Sequence, residues 1–125
     1  DKSGGDLKKA ENYLKEQGIT NAAKKADRAT TAGLVETYVH SGKIGVMVEV
    51  NCETDFVART ADFKNLAHEI ALQISAMKPK DVKDLMAQAY IRGPAMTIEA
   101  LVKSVIAKLG ENIQVKRFSR MELGE

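Results

Sequence analysis

Two stretches of alternating residue character in the first half of the chain predict two β-strands. Residues 34–40 and 44–50 each divide into two alternating sets of side chains, which is the two-residue period of a strand. The clearest set is Ile44, Val46, Val48 and Val50, with Gly45, Met47 and Glu49 between them. Ser41 and Gly42 lie between the stretches, and glycine supplies the positive φ that a tight hairpin turn requires. The two strands are therefore predicted to pair in the antiparallel sense.

From Thr54 onwards the hydrophobic residues recur at helical spacing instead. They form one continuous stripe, which predicts a long helix from about Asp55 to Met77, and Pro79 ends it. The residues of this stripe are Phe63, Leu66, Ala67, Ile70, Ala71, Ile74 and Met77.

The remaining third of the chain predicts two more helices and a strand. Residues 81–88 allow one or two helical turns before the break at Gly93-Pro94. A second amphipathic stripe then predicts a helix with Thr97 as its N-cap and Gly110 as its stop. Residues 112–123 have the character of a β-strand.

The order strand, strand, helix, short helix, helix, strand predicts an α+β fold. A small antiparallel sheet of about three strands would pack one face against the helices, in two layers. Phe118 is out of step with the alternation of the last strand. This indicates a β-bulge, or a strand that is covered on both sides.

The residues before this domain have a different character. Gly4-Gly5-Asp6, hydrophobic residues at helical spacing and Gly18 predict a short amphipathic helix, the last of a small bundle. Residues 21–31 are rich in alanine and in charge, which is typical of a solvated helical linker. We therefore divide the chain into a helical remnant (1–18), a helical linker (19–32) and the α+β domain (33–125).

Charge and cysteine content exclude several classes of protein. The 125 residues include 19 Lys and Arg against 17 Asp and Glu, a formal net charge of +2, well short of the basic excess of an electrostatic nucleic-acid binder. Cys52 is the single cysteine, which excludes a disulfide framework and indicates a reducing, cytosol-like compartment. No run approaches the ~18 apolar residues of a membrane-spanning helix. Since Asp1 rather than Met opens the numbering, we expect a longer native chain.

The motifs of common enzymes and cofactor sites are absent from the sequence. Neither GxGxxG nor GxxxxGK[ST] occurs, so we expect no nucleotide cradle. His68-Glu69 begins like a zinc-binding HExxH motif, but Leu72 stands where the second histidine would be. We interpret His40 and His68 as a strand-end and a helix-side residue, and expect neither an enzyme nor a protein with its own metal or cofactor.

Two further features each allow a structural and a functional interpretation. Cys52 precedes a helix N-terminus that would stabilise a thiolate, but no paired base is apparent and an ordinary buried residue is favoured. Lys116, Arg117 and Arg120 lie beside Phe118 and could contact RNA, but an RNA-binding sheet presents two or three aromatic residues. We interpret this basic run as a solvated face suited to docking a partner.

Residues 51–57 carry a hydrophobic strand directly into a helix. In one interpretation Thr54 or Asp55 caps the helix, and Phe56, seven residues before Phe63, lies on the same buried stripe. In the other, too few core residues are available to cover Phe56, and the exposed aromatic ring anchors in a pocket of a partner protein. The hydrophobic pattern favours the first interpretation and leaves the second open.

Four long stretches of the chain, taken in order, indicate a protein family far more specifically than any short motif does. They are residues 22–28 leading to 38–40, residues 45–59 reading GVMVEVNCETDFVAR, residues 63–77, and residues 107–125 reading AKLGENIQVKRFSRMELGE. In this order they resemble the bacterial and organellar translation elongation factor Ts family. Residues 4–18 resemble the end of that family's N-terminal, ubiquitin-associated-like domain.

The resemblance implies a guanine-nucleotide exchange factor for elongation factor Tu. In the family, the segment that matches Thr54, Asp55, Phe56 and Val57 is inserted into the GTPase domain of Tu near its Mg²⁺. Phe56 would enter an apolar crevice with Asp55 as its polar companion. Disturbing the Mg²⁺ weakens its bridge to the diphosphate, so GDP leaves. The implied partner is Tu with its GDP and Mg²⁺, without nucleic acid, membrane or a cofactor of the chain's own.

Two departures from the family keep alternatives open. Residues 1–18 match only the last helix of the family's N-terminal domain, so we expect its first two helices to be absent from these residues, and the stretch between Met77 and Ala87 is short. One alternative is therefore a module that binds Tu, or itself as a homodimer, without promoting exchange. Another is RNA binding through the basic run. The expected compartment is the cytoplasm, or the matrix or stroma of an organelle.

Overall fold

The structure, a computed structural model, describes residues 25–125. The predicted helix before Gly18 and the first part of the linker lie outside these residues. Three strands form one antiparallel sheet in the order β1-β2-β3. Their bounds are β1 (Ala32–His40), β2 (Ile44–Cys52) and β3 (Ile113–Glu122).

The predicted hairpin joins β1 to β2. Ser41 and Gly42 both adopt positive φ, 53° and 67°, and the Lys43 N–H donates to the His40 carbonyl at 2.9 Å. The turn sets the register of the whole pair, from His40 opposite Ile44 to Ala32 opposite Cys52.

Helices cover one face of the sheet, which confirms the α+β fold. The central strand β2 buries every second residue against them, while Met47, on its other face, is 54% exposed. The hydrophobic stripe predicted from the sequence supplies the opposing layer of the core. The buried residues of the two layers are Val46, Val48, Val50 and Cys52 of the sheet, and Phe63, Leu66, Ala67, Ile70, Ala71 and Ile74 of the helix.

The prediction of a single helix from Asp55 to Met77 is wrong. The chain forms two helices here, α1 (Asp55–Ala58) and α2 (Ala61–Met77). Thr60 separates them, because its backbone is extended and its hydroxyl accepts from the Phe63 N–H at 3.2 Å, which starts α2. The same hydroxyl donates to the Val57 carbonyl at 2.7 Å, which ends α1.

The predicted short helix, second amphipathic helix and last strand are confirmed, whereas residues 26–31 of the predicted helical linker form turns and irregular chain and Ala32 already begins β1. Helix α3 (Val82–Ala87) follows Pro79, and α4 (Ile98–Leu109) begins after its Thr97 cap and ends at Gly110, which has φ 77°. No helix in residues 25–125 is long and apolar enough to cross a membrane.

The irregularity predicted near Phe118 is a β-bulge. Val50 pairs with Val115, but the preceding residue, Glu49, pairs with Arg117, so Lys116 is the extra residue. After the bulge, Phe118 lies opposite Val48 and is half-buried.

Candidate functional site

The turn after β2 presents a large apolar side chain to solvent. Phe56 is 82% exposed, whereas Val57 and Ala58 of the same short helix are buried. Asp55, beside Phe56, is exposed as well. The interpretation that places Phe56 on the buried stripe is therefore wrong, because the chain is not one continuous helix from Phe56 to Phe63 but breaks at Thr60.

Thr54 forms the N-cap of α1. Its backbone is extended, with φ −132° and ψ 154°, and its side chain accepts from the Val57 N–H at 3.3 Å. Capping satisfies one of the donors that a helix start leaves free, and the Asp55 carboxylate in the first turn complements the helix dipole. Of the four predicted site residues, the structure thus exposes Thr54, Asp55 and Phe56 and buries Val57.

A carboxylate from the far end of the domain holds this turn, and we call the arrangement the Glu111 clamp. Glu111 accepts hydrogen bonds from the Glu53 N–H at 3.2 Å and from the Thr54 N–H at 3.1 Å through one oxygen. Its other oxygen accepts from the Thr54 hydroxyl at 2.8 Å. Glu111 thus fixes the entry into α1, although Glu53 and Thr54 precede it in the sequence by 58 and 57 positions.

A second contact runs in the opposite direction between the same two segments. The Glu53 carboxylate accepts from the Asn112 N–H at 2.6 Å, and Arg28 lies 3.7 Å from it. The Asn112 side chain, itself buried, donates to the carbonyls of Ala26 and Arg28 at 3.3 and 2.8 Å. The loop before α1 is thus tied both to the start of β3 and to the chain that leads into β1.

Sequence reasoning missed Glu111 and Asn112. The available signal was the pairing of the strands, since Cys52 at the end of β2 lies opposite Ile113 at the start of β3. In an antiparallel pair, the residues after one strand lie beside the residues before the other.

Cys52 lies in the core below this turn. It is buried, and its thiol donates to the Thr54 carbonyl at 3.2 Å. Burial, reinforced by the nearby Glu111 carboxylate, raises the pKa of the Cys52 thiol. The interpretation as an ordinary buried residue is confirmed, since a reactive thiolate requires a lowered pKa.

The basic run of β3 does not form one solvated face, and that interpretation is wrong for Arg120. The Arg120 side chain is only 9% exposed and donates to the carbonyls of Ile74 and Ser75 at 3.2 and 3.0 Å, at the end of α2. Arg117 lies on the other face of the sheet and pairs with Glu49 at 2.8 Å.

The two histidines contact the same tyrosine of β1. The Tyr38 hydroxyl is 2.8 Å from His40 Nδ1, and the Tyr38 ring meets the ring of His68 edge-on. His68 also lies 3.7 Å from the Glu36 carboxylate. Among residues 25–125, no group of three or more His, Cys, Asp or Glu side chains could hold a metal ion.

The face of the sheet opposite the helices is partly apolar. Val35, Val39, Met47 and Met121 are each more than half exposed on this face, which we call the outer face. Val39 and Met121 flank Gly45 across the three strands, so their side chains are not separated by a bulky residue.

Comparison with known proteins finds relatives over the whole chain. The family described as "Elongation factor TS" matches residues 53–125. "Elongation factor Ts" of Coprothermobacter proteolyticus is 43% identical over 171 aligned positions, which cover 100% of this chain and 87% of the relative. That of Heliobacterium modesticaldum is 40% identical over 97% of the chain and 78% of the relative. "Elongation factor Ts, chloroplastic" of Guillardia theta is 40% identical over 97% and 77%.

The alignment with the Coprothermobacter protein is longer than this chain, 171 positions against 125 residues. The relative therefore carries residues within the matched region that have no counterpart here.

Proposed function

The chain belongs to the elongation factor Ts family, whose members are exchange factors for elongation factor Tu in translation, and from this membership we propose how it acts. The turn of Thr54, Asp55 and Phe56 inserts beside the Mg²⁺ of Tu, while Val57 stays packed in the core behind it, and GDP leaves. The observation that carries the proposal is the 82% exposure of Phe56.

An exposed phenylalanine on a fixed turn is suited to insertion into a partner. Burying a Phe side chain gains roughly 1.5–3 kcal/mol relative to exposure, and in this chain that gain is left for a complex. Val57 and Ala58 pack into the core and hold α1 in place. A ring that is already oriented loses little conformational entropy on binding.

Binding energy of this kind can promote exchange without covalent chemistry. If the chain binds nucleotide-free Tu more tightly than GDP-bound Tu, reciprocity requires that it weaken GDP binding by the same factor. Each tenfold preference corresponds to about 1.4 kcal/mol. The Mg²⁺ belongs to Tu, and Asp55 and Phe56 act by displacing the groups that hold it.

Release of a fluorescent GDP from the complex of Tu, GDP and Mg²⁺ tests the proposal. The wild-type chain should accelerate release, and Phe56→Ala should lose most of the acceleration while still unfolding cooperatively. Met121→Ala, at a site that is 77% exposed on the outer face, is the matched control and should retain full activity. When EDTA removes the Mg²⁺, the wild type and Phe56→Ala should release GDP at similar rates.

Two results would count against this function. One is a wild-type chain that binds Tu but leaves GDP release unchanged. The other is a Phe56→Ala variant as active as the wild type, which would remove Asp55 and Phe56 from the mechanism.

The alternative, a binding or self-associating module without exchange activity, is favoured by the outer face. Four exposed apolar side chains there, Val35, Val39, Met47 and Met121, would be covered if two copies paired as a homodimer. Sedimentation equilibrium should then show a dimer that Met47→Glu dissociates. Release of fluorescent GDP separates this alternative from the proposed function, since a module without exchange activity would leave that release unchanged.

The relatives also support a proposal about the compartment. We propose that the chain acts where a bacterial type of Tu operates, either in a bacterial cytoplasm or, as the name of the Guillardia relative indicates for that protein, in a chloroplast. RNA binding through β3 is not proposed, because Arg120 is buried against the end of α2.

A further inference from the structure

The backbone between β2 and α1 has no strand partner at the point where it turns. Pairing of β2 with β3 ends at Cys52 and Ile113, so the N–H groups of Glu53 and Thr54 are beyond the ladder. Backbone donors in such a position require another acceptor or water. The Glu111 carboxylate accepts from both, at 3.2 and 3.1 Å.

These two bonds fix the direction in which the chain enters α1. Hydrogen bonds to an ionised acceptor are roughly twice as strong as those between neutral groups. Because both donors are backbone groups, the bonds orient two consecutive peptide planes, those that precede Glu53 and Thr54. The next residues along the chain are Asp55 and Phe56.

The third bond of the clamp reaches the helix itself. The Thr54 hydroxyl donates to Glu111 at 2.8 Å and accepts from the Val57 N–H at 3.3 Å. A hydroxyl that donates to a carboxylate is held in one rotamer, and here this is the rotamer that caps α1. The carboxylate and the first turn of α1 are thus linked through a single side chain.

Packing of Val57 and Ala58 places α1 on the core, but so short a helix needs further support to keep its exposed residues in one conformation. It has four residues, far fewer than the ~12–15 that a helix needs to be even marginally stable alone in water. If the turn sampled many conformations, only a fraction would present Phe56 correctly, and the apparent affinity for Tu would fall by that fraction.

We propose that Glu111 is a positioning residue for nucleotide exchange, which holds Thr54 so that Asp55 and Phe56 are presented to Tu in one orientation. This inference rests on the proposed function. Glu111 itself is half-buried behind the turn and acts through Phe56 rather than on the nucleotide.

A double-mutant cycle tests this role. Glu111→Ala should lower the acceleration of GDP release by about tenfold at limiting concentrations of the chain, and most of the loss should disappear at saturation. In a Phe56→Ala background the same change should have little further effect, because two residues that act as a unit are not additive. Glu99→Ala, which removes a carboxylate from the first turn of α4, is the control and should leave exchange unchanged.

Conservative variants and a structural measurement separate positioning from general stability. Glu111→Gln keeps a carbonyl oxygen for the two backbone donors, and its amide N–H can donate to the Thr54 hydroxyl where that hydroxyl now donates to the carboxylate, so it should restore most of the activity. Glu111→Asp is too short to reach the backbone donors. Hydrogen exchange at the Glu53 and Thr54 amides should accelerate in Glu111→Ala and remain slow at Val48. Should Glu111→Ala fail to fold, Glu111→Asp takes its place in the cycle.

The outcomes distinguish this inference from the proposed function. If Phe56→Ala loses exchange but Glu111→Ala and Glu111→Asp do not, the function stands and the positioning role is overturned. A loss of equal size with and without Phe56 also overturns it, since Glu111 would then act on the whole domain. If the wild-type chain promotes no exchange, the function fails, and the positioning role fails with it.

Discussion

Phe56 and Phe63 lie seven residues apart on consecutive helices, and their surroundings are opposite. Phe56 on α1 is 82% exposed, while Phe63 on α2 is fully buried against the sheet. In one continuous helix, residues seven apart share a face to within about 20°. The hydrophobic pattern alone therefore assigns both rings to the core. The structure separates them through Thr60.

Each of the two helices begins with a threonine that performs the same local task. Thr54 accepts from the N–H of Val57, and Thr60 accepts from the N–H of Phe63. A cap in the middle of a hydrophobic stripe divides it, so that one ring stabilises the domain and the other is available to a partner. The exposed ring and the buried ring are thus separated by a capping hydroxyl and not by a change of hydrophobicity.

The contrast between Phe56 and Phe63 should have its largest measurable effect on the free energy of unfolding. Phe63→Ala should lower the free energy of unfolding by about 3–5 kcal/mol, because it leaves a cavity in the core. Phe56→Ala should change it by less than about 0.5 kcal/mol, as is usual for an exposed site. Urea unfolding followed by circular dichroism measures both. Equal losses for the two variants would mean that Phe56 is packed in solution and would break the comparison.

The second test removes the cap that separates the helices. Thr60→Ala loses both the bond to Phe63 and the bond to Val57, and should lower the free energy of unfolding by about 1–2 kcal/mol. It should also reduce GDP release, since Phe56 would no longer be held outside the stripe.

Thr97→Ala is the matched control for this test. Thr97 caps α4 in the same way, by accepting from the Ala100 N–H at 3.1 Å. Its loss should cost a similar amount of stability and leave exchange unchanged. If Thr97→Ala reduced exchange as much as Thr60→Ala, the effect would be one of general stability.

Local patterns were enough to predict most elements of the fold. β2 alternates because one face is buried and the other exposed, and α4 combines a clear stripe with a threonine cap and a glycine stop. Such elements carry their own signal, because the residues that determine them are close together in the sequence.

Features that depend on distant residues were not predicted. The clamp joins Glu111 to Thr54 across 57 positions of the sequence, and no periodicity connects them. The side of β3 on which Arg120 lies depends on a local feature instead. A single bulge residue, Lys116, shifts the alternation, so that Arg120 and not Arg117 faces the helices. The hydrophobic pattern alone favours a buried Phe56, because it treats Thr60 as one more position of a helix, whereas the family resemblance assigns Phe56 to a partner.

The contrast between α1 and α2 extends to a second contact between a hydroxyl and a carboxylate. On α2 the Glu69 carboxylate is buried and accepts from the Tyr90 hydroxyl and from Arg92 Nη1, the latter at 3.0 Å. On α1 the corresponding bond, from Thr54 to Glu111, lies at an exposed residue. We therefore expect the Tyr90 bond to serve stability and the Thr54 bond to serve binding.

Titration of Tyr90 tests that division and should give the smallest effect. Burial, together with the hydrogen bond to Glu69, raises the pKa of Tyr90 to about 12, so the folded state favours the neutral phenol. This contribution is complete below the unfolded-state pKa near 10 and is lost as pH rises through about 12, a fall on the order of 1 kcal/mol.

Urea unfolding of the wild type and Tyr90→Phe at pH 9 and pH 11 isolates this contribution, because the two proteins differ only in the Tyr90 hydroxyl. Stability should fall less in Tyr90→Phe between these two pH values. GDP release at neutral pH should be the same for both proteins, since Tyr90 contacts α2 and not the turn that carries Phe56. Slower release in Tyr90→Phe would mean that the two regions are coupled, and would remove the division of roles between α1 and α2.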